Sequence, residues 1–299
     1  MEKLFSHVGR EDVAGLFAPM PDRTNKGDMG RVLCVCGSYD KNGSAMSGAA
    51  YFSAMAAYRC GAGIVEIFTA KENYGALGAV VPEAVFSLYS CDGHKQEIMH
   101  RLVKSILHAD CIVLGCGLGK SDVARAIVKT VLTNAAVPFV IDADALNIMA
   151  EEDKLWSLMS DEQKARTVIT PHPGEMSRLT GKGINKILDD TVSSAEGFSV
   201  SRGVICLLKD HQTVITNGKK TFVNTSGNAG MATAGMGDVL AGVMGAMLAR
   251  TRDDDVLYRA AAAAYLHGCA GDAAAGKKGR YSLMASDVID SLCDVISGL

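Results

Sequence analysis

The chain has 299 residues, 48% hydrophobic and 21% charged, proportions that exclude a disordered or fibrous protein and allow one large globular domain. Its 30 Lys and Arg against 33 Asp and Glu leave a net charge of -3, so neither a nucleic-acid-binding basic stripe nor an acidic tail is indicated. The cysteines are scattered without a CxxC pair, which points to reduced, buried thiols in a cytoplasmic protein.

The opening MEKLFSHVGREDV lacks the apolar core of a signal peptide, and Gly or charged residues interrupt every apolar run before it reaches spanning length. A soluble protein with no membrane partner is expected. Residues 1–30 form a short helix and a polar turn, and RVLCVC (31–36) is a buried strand ending in Gly37-Ser38. SAMSGAAYFSAMAAYR (44–59) is a helix of small residues, tight enough to lie close against a sheet, and IVEIFTA is the next strand. The alternation continues with AVFSLYS (84–90), a helix over HKQEIMHRLVKSIL, the strand CIVLG running into GCGLG (115–119), and a helix over 122–134. The strands PFVID (138–142) and TVIT (167–170) follow, the second running into Pro171-His172-Pro173-Gly174-Glu175. After a helical stretch over 184–202 come three strand-like runs, GVICLLK, QTVITNG and KKTFVN, and then helices to the end, including the Ala-rich 260–275. Strands alternating with helices predict an α/β fold with a largely parallel sheet, read as a single domain over 1–299. In such sheets ligands bind beyond the strand C-termini, where most of the Gly, Asp and His loops fall.

The stretch 225–248, TSGNAGMATAGMGDVLAGVMGAML, is a Gly-rich turn feeding an apolar helix. The unpaired N–H groups at such a helix start, at the positive end of its dipole, make an anion site. Asp238 stands where a bound phosphate would repel it, and is either a helix cap or a catalytic group. Asp142 and Asp144, with Asn147 one turn on, could orient a hydroxyl, a metal-bound water or a neighbouring loop, or merely cap a helix and form an Asx turn. His172 between two prolines is poorly suited to a core and better suited to a stiff loop that presents its imidazole to a ligand. Glu175 could help hold Mg²⁺ through water near phosphates, or serve as a first-turn acid. Lys209 to Thr213 could cradle a nucleotide or form a plain hairpin turn. GCGLG lacks the order of a dinucleotide fingerprint, and no Walker A loop, zinc spacing or GxSxG elbow is present.

With NKGDMGRVLCVCGS, GCGLG, DADALN, TPHPGE and NAGMATAGMGDVLAG in this order, the chain resembles the ADP/ATP-dependent NAD(P)H-hydrate dehydratases of the ribokinase-like superfamily. The resemblance runs from about residue 25 to the C-terminus, is most specific over 228–242 and at PHPGE, and leaves no room ahead for the epimerase domain often fused to this one. It implies a mostly parallel sheet flanked by helices on both faces. It also implies a repair lyase that uses ADP, with ATP as the other candidate donor, and Mg²⁺ to dehydrate (6S)-NADHX and (6S)-NADPHX. Phosphorylating the C6 hydroxyl turns a poor leaving group into a good one.

Carried over by position, Asp238 is the base on the substrate hydroxyl, and Ala49, Gly117 and His172 line the hydrate site. Lys209, Asp210, His211, Gln212, Thr213, Asn228, Gly235 and Gly237 hold the nucleotide. The resemblance also implies a homotetramer. Two positions depart from the family pattern: Met236 stands where the family has Thr, and Asp210 where it has Gly. The rival readings are a ribokinase-like kinase of a small alcohol or vitamin precursor, and a non-catalytic nucleotide-binding paralogue.

Overall fold

The structure, a computed structural model, describes residues 5–17, 19–40, 42–250 and 255–299. Its nine-stranded sheet contains β1 (Arg31–Val35), β2 (Ile64–Ala70), β3 (Val85–Tyr89), β4 (Cys111–Leu114), β5 (Phe139–Ile141), β6 (Thr167–Ile169), β7 (Ile205–Leu208), β8 (Val214–Thr216) and β9 (Thr221–Val223). The order is β3-β2-β1-β4-β5-β6-β7-β8-β9, parallel through β7, after which β8 and β9 return as antiparallel hairpins. Each expected strand is present, most of them trimmed by a residue or two.

The apolar runs are continuous because both faces of the sheet are covered. In β1, Val32 and Cys34 face a core shared with the helices Ser47–Arg59, Met236–Ala249 and Val256–Lys278. Leu33 and Val35 face a second core, formed with Lys95–Leu107, Asp122–Asn134 and Ala143–Glu151. This two-residue alternation splits one hydrophobic strand between two helical layers. The small residues of Ser47–Arg59 allow another helix, not only the sheet, to approach closely. A Cβ on Gly242 would stand 2.1 Å from the Ser53 carbonyl oxygen, so Met236–Ala249 can seat there only with glycine at this point.

The chain winds from β1 to β2 and β3 in one direction, then returns to β4 on the other side of β1. β1 and β4 therefore flank the topological switch point of the sheet, where Gly37 N donates to Cys116 O at 2.9 Å and ties the loops that follow them together. Gly117 sits in the loop after β4, and a Cβ there would lie 2.8 Å from Ala49 Cβ. Among the described residues no helix is long and apolar enough to cross a membrane. The nine cysteines are all free, six of them buried.

Candidate active site

The C-terminal ends of β5, β6 and β7 and the start of Met236–Ala249 enclose a cavity of about 890 Å³, within the range of small-molecule sites. It is lined by Asp142, His172, Glu175, Lys209, Asp210, His211, Thr213, Asn228, Gly235, Gly237 and Asp238 among others. Most of the expected site residues, scattered over about 100 positions of sequence, thus share one space. Ala49, Gly117 and Gln212 do not line it. The first two meet at the switch point, and Gln212 is exposed on the loop after β7.

The helix expected from Asp238 begins at Met236, with Gly235 as its cap at φ 89 and no side-chain cap. Asp238 is therefore the third helical residue, which removes the capping alternative for its carboxylate. A Cβ on Gly235 would lie 2.6 Å from Phe52 Cε2, so both backbone angle and space demand glycine. The first-turn N–H groups open toward the cavity with the helix dipole behind them. Burial and the nearby Asp142 raise the Asp238 pKa from 3.8 to about 6, against the opposing pull of the Cys116 thiol and the Lys209 charge. A carboxylate held near that value is a competent base at neutral pH.

Asp142 caps Ala143–Glu151, its Oδ1 accepting from Ala143 N at 2.9 Å and from Lys209 Nζ at 2.8 Å. The capping reading of Asp142 holds, and the same oxygen also binds the Lys209 ammonium. Ala143, at φ 49, is the single described non-glycine residue with positive φ, a strained backbone at the cavity wall. Asp144 Oδ2 accepts from Gly119 N at 2.7 Å and so fixes the GCGLG loop.

His172 caps Pro173–Thr180, its Nδ1 accepting from Gly174 N at 3.0 Å and Glu175 N at 3.4 Å. That fixes the neutral tautomer with the proton on Nε2, which lies 3.6 Å from Glu175 Oε1. Burial, Lys209 and Arg178 together lower its pKa and keep it neutral. Glu175 Oε2 accepts from His172 N at 2.9 Å and lies 4.0 Å from Lys209 Nζ; burial raises its pKa first, with Lys209 opposing. Among the described residues no cluster of three or more His, Cys, Asp or Glu is arranged to hold a metal ion. Glu175, on the cavity wall, is the residue that could meet a magnesium ion through water.

Lys209 N donates to Pro171 O at 2.8 Å, stitching the PHPGE loop to the end of β7. Asp210 Oδ2 lies 3.4 Å from His211 Nδ1, which gives this acidic departure a partner of its own. Met236, the other departure, is buried at 6% exposure in the core beneath the turn. Asn228 spends its amide on Gly271 O and Asp272 Oδ1 and its carbonyl on Gly230 N; it shapes the loop wall as well as lining the cavity. His267, which the sequence suggests only as a packing residue of the Ala-rich segment, is a buried imidazole on the cavity wall. A lone His in an Ala-rich helix was its only signal.

Known proteins share this fold and much of this sequence. The family described as NAD(P)H-hydrate dehydratase matches residues 32–293. A bifunctional NAD(P)H-hydrate repair enzyme from Moorella thermoacetica is 36% identical over 279 residues, 92% of this chain and 51% of that protein. The chain spans about half the length of the curated relatives it matches. An ADP/ATP-dependent NAD(P)H-hydrate dehydratase from Bacillus subtilis, co-crystallised with ATP and Mg²⁺, superposes with a TM-score of 0.80 at 25% identity, covering 98% of both chains. A ribokinase-like superfamily protein from Enterococcus faecalis gives 0.83 at 27%, covering 100% of this chain and 99% of the other. The fold is ribokinase-like, and the match extends from β1 into the C-terminal helix, through every loop that builds the cavity: the chain belongs to the NAD(P)H-hydrate dehydratase family.

Proposed function

We propose that this chain dehydrates the hydrates of NADH and NADPH, with ADP as phosphoryl donor. The observation that carries the reading is Asp238, a carboxylate with its pKa raised to about 6, set in the first turn of a helix without a side-chain cap, on the wall of a cavity of about 890 Å³. An anion site beside a base is what transfer of a phosphoryl group to a hydroxyl requires.

In the first step Asp238 takes the proton of the C6 hydroxyl as its oxygen attacks the terminal phosphorus of ADP. The bond from phosphorus to the bridging oxygen breaks, and AMP leaves. The N–H groups at Gly235 to Gly237 hold the moving phosphoryl group, and Lys209, with its charge directed into the cavity, neutralises part of what develops. Mg²⁺, bound with the nucleotide, supplies further charge neutralisation. In the second step the ring nitrogen's lone pair expels phosphate from C6, and loss of a proton from the neighbouring carbon restores the double bond. His172 Nε2–H, Ala49 and Gly117 are assigned to the hydrate, and the Lys209 to Thr213 loop with Asn228 to the nucleotide. The free cysteines accord with a reducing cytoplasm, and exposed Tyr281 and Met284 offer apolar surface for the homotetramer, which light scattering would test.

Phosphorus NMR of the products tests the reading. Inorganic phosphate and AMP formed together with reduced nicotinamide support it. A stable phosphate ester of the hydroxyl would make the protein a kinase, and the absence of nucleotide turnover would make it a binding protein.

A further inference from the structure

Asp142 does more than cap the helix that follows it. Its Oδ1 accepts from Ala143 N at 2.9 Å and from Lys209 Nζ at 2.8 Å. A Cβ built on Gly237 would stand 3.4 Å from Asp142 Oδ2 and 3.4 Å from Lys209 Nζ. Both ends of the ion pair therefore lie against the turn that opens the Met236–Ala249 helix, one residue before Asp238. Capping alone does not need this arrangement. Asparagine caps a helix as well as aspartate does, and a carboxylate with a side chain 3% exposed is costly to keep ionised unless it is paired. The strained Ala143 backbone gives its N–H to Oδ1 and so holds the carboxylate in one orientation.

The strand order sets up a competition for one cation. β5, β6 and β7 are neighbours, and beyond their C-terminal ends stand Asp142, Glu175 and Lys209. The Lys209 ammonium, 2.8 Å from Asp142 Oδ1, is 4.0 Å from Glu175 Oε2. Asp238 is faced by Asp142, by Asp144 from the first turn after β5, by the Cys116 thiol from the loop after β4, and by Lys209, the cation among these groups. Burial first, then the Asp142 charge, raises the Asp238 pKa, and Lys209 opposes them. An ammonium free to turn from Asp142 to Asp238 would pair with the base and weaken it.

We propose that Asp142 is a positioning residue for phosphoryl transfer, holding the Lys209 ammonium against the Gly237 turn and off the Asp238 carboxylate. This rests on the reading of Asp238 as the base and of the turn as the phosphate site. The cation is then placed where phosphate charge develops, and the base stays free to take the proton of the substrate hydroxyl.

NMR titration of the Asp238 carboxyl carbon tests this on wild type, on Asp142→Asn and on Asp142→Asn combined with Lys209→Met, alongside pH profiles of kcat/KM. Asp142→Asn keeps the capping oxygen and loses the charge. Asp238 should become at least about tenfold more acidic in it, and the acid limb of kcat/KM should move to lower pH to match. Affinity for ADP, read by calorimetry, should not fall, since a negative charge beside the turn has been removed. Adding Lys209→Met should return Asp238 toward its wild-type titration, because the competing cation is gone. Should Asp142→Asn fail to fold, Asp142→Ser also keeps a capping oxygen without the charge and carries the same expectation. A residue that only caps the helix would change stability and move none of these readings. If Asp238 titrates at about 6 in wild type and Asp142→Asn leaves it there, the positioning role falls and the base stands. A double variant as acidic at Asp238 as Asp142→Asn overturns the role too, because Lys209 is then not what Asp142 holds back. A wild-type Asp238 that titrates in the ordinary carboxylate range, with no acid limb above it, overturns both the role and the base.

Discussion

Lys209 Nζ donates to Asp142 Oδ1 at 2.8 Å, joining the end of β7 to the end of β5. The Asp142 side chain is 3% exposed and that of Lys209 22%, so the pair is largely withdrawn from water. Burial alone would lower the Lys209 pKa, but Asp142 and Glu175 outweigh it and raise it. The ammonium is thus held in place between two carboxylates and in reach of a third, Asp238.

Removing that charge strands Asp142. Lys209→Met should cost about 3–5 kcal/mol of stability, the usual penalty for breaking a buried ion pair from one side. Adding Asp142→Asn should recover part of the loss, because the remaining partner is then neutral. Urea titrations of the single and double variants measure both. A loss in Lys209→Met below about 1 kcal/mol would mean that the pair is solvated in practice.

The raised pKa of Asp238 gives the reaction an acid limb. The base acts ionised, so kcat/KM should fall about tenfold per pH unit below about 6. A rate that stays flat down to pH 5 would take the proton-accepting role from this residue. The same shift bears on stability. A carboxyl with a pKa of about 6 folded and 3.8 unfolded penalises the folded state above pH 6, where the charge must be carried in the cavity. Below 3.8 it imposes no penalty. Asp238→Asn should therefore be more stable than wild type at pH 8, by at most about 3 kcal/mol, with the advantage fading as the pH falls from 6 to 4.

Substitution separates the capping role of His172 from the substrate contact proposed for it. His172→Ala removes the cap of Pro173–Thr180 and should cost about 1 kcal/mol. His172→Asn restores a capping acceptor and should recover most of that stability. Neither variant keeps Nε2–H, so both should raise KM for the hydrate. If the Asn variant recovers KM together with stability, the imidazole is a cap and not a substrate contact.

Gly235→Ala tests the anion turn. The new Cβ meets Phe52 at 2.6 Å in a backbone conformation at φ 89 that side chains resist. Affinity for ADP should drop at least about tenfold while circular dichroism shows the sheet retained. Unchanged affinity would place the phosphates elsewhere.

The sheet was legible in the sequence because a strand buried on both faces is an apolar run of four to seven residues, and the chain has such runs from 31–36 onward. The helix Tyr74–Val80 was not, since YGALGAV carries two glycines and no polar face. The Gly-rich turn could be recognised as an anion site, but not which of its residues caps the helix. That depends on Gly235 taking positive φ against Phe52, 183 positions earlier in the chain (235 minus 52). Asp142 and Lys209 were each visible as polar residues at strand ends. Their bond was not, because it depends on β5 and β7 flanking β6, which only the strand order decides. His267 was hidden by its surroundings, an Ala-rich helix whose role in walling the cavity appears only once the fold is assembled.

Asp238, as the proposed base of a nucleotide-dependent dehydration, is put to the test by the absorbance of reduced nicotinamide. Protein is mixed with NADHX and Mg²⁺, then given ADP or ATP in separate cuvettes, with Asp238→Asn run in parallel. The account predicts growth of the reduced-nicotinamide band with ADP, one phosphate released per NADH formed. It predicts a rate at least about 100-fold lower in the variant, whose affinity for ADP is preserved. Growth with ATP alone would change the donor and leave the base in place. A flat trace with both nucleotides, or a variant as fast as wild type, would contradict the account.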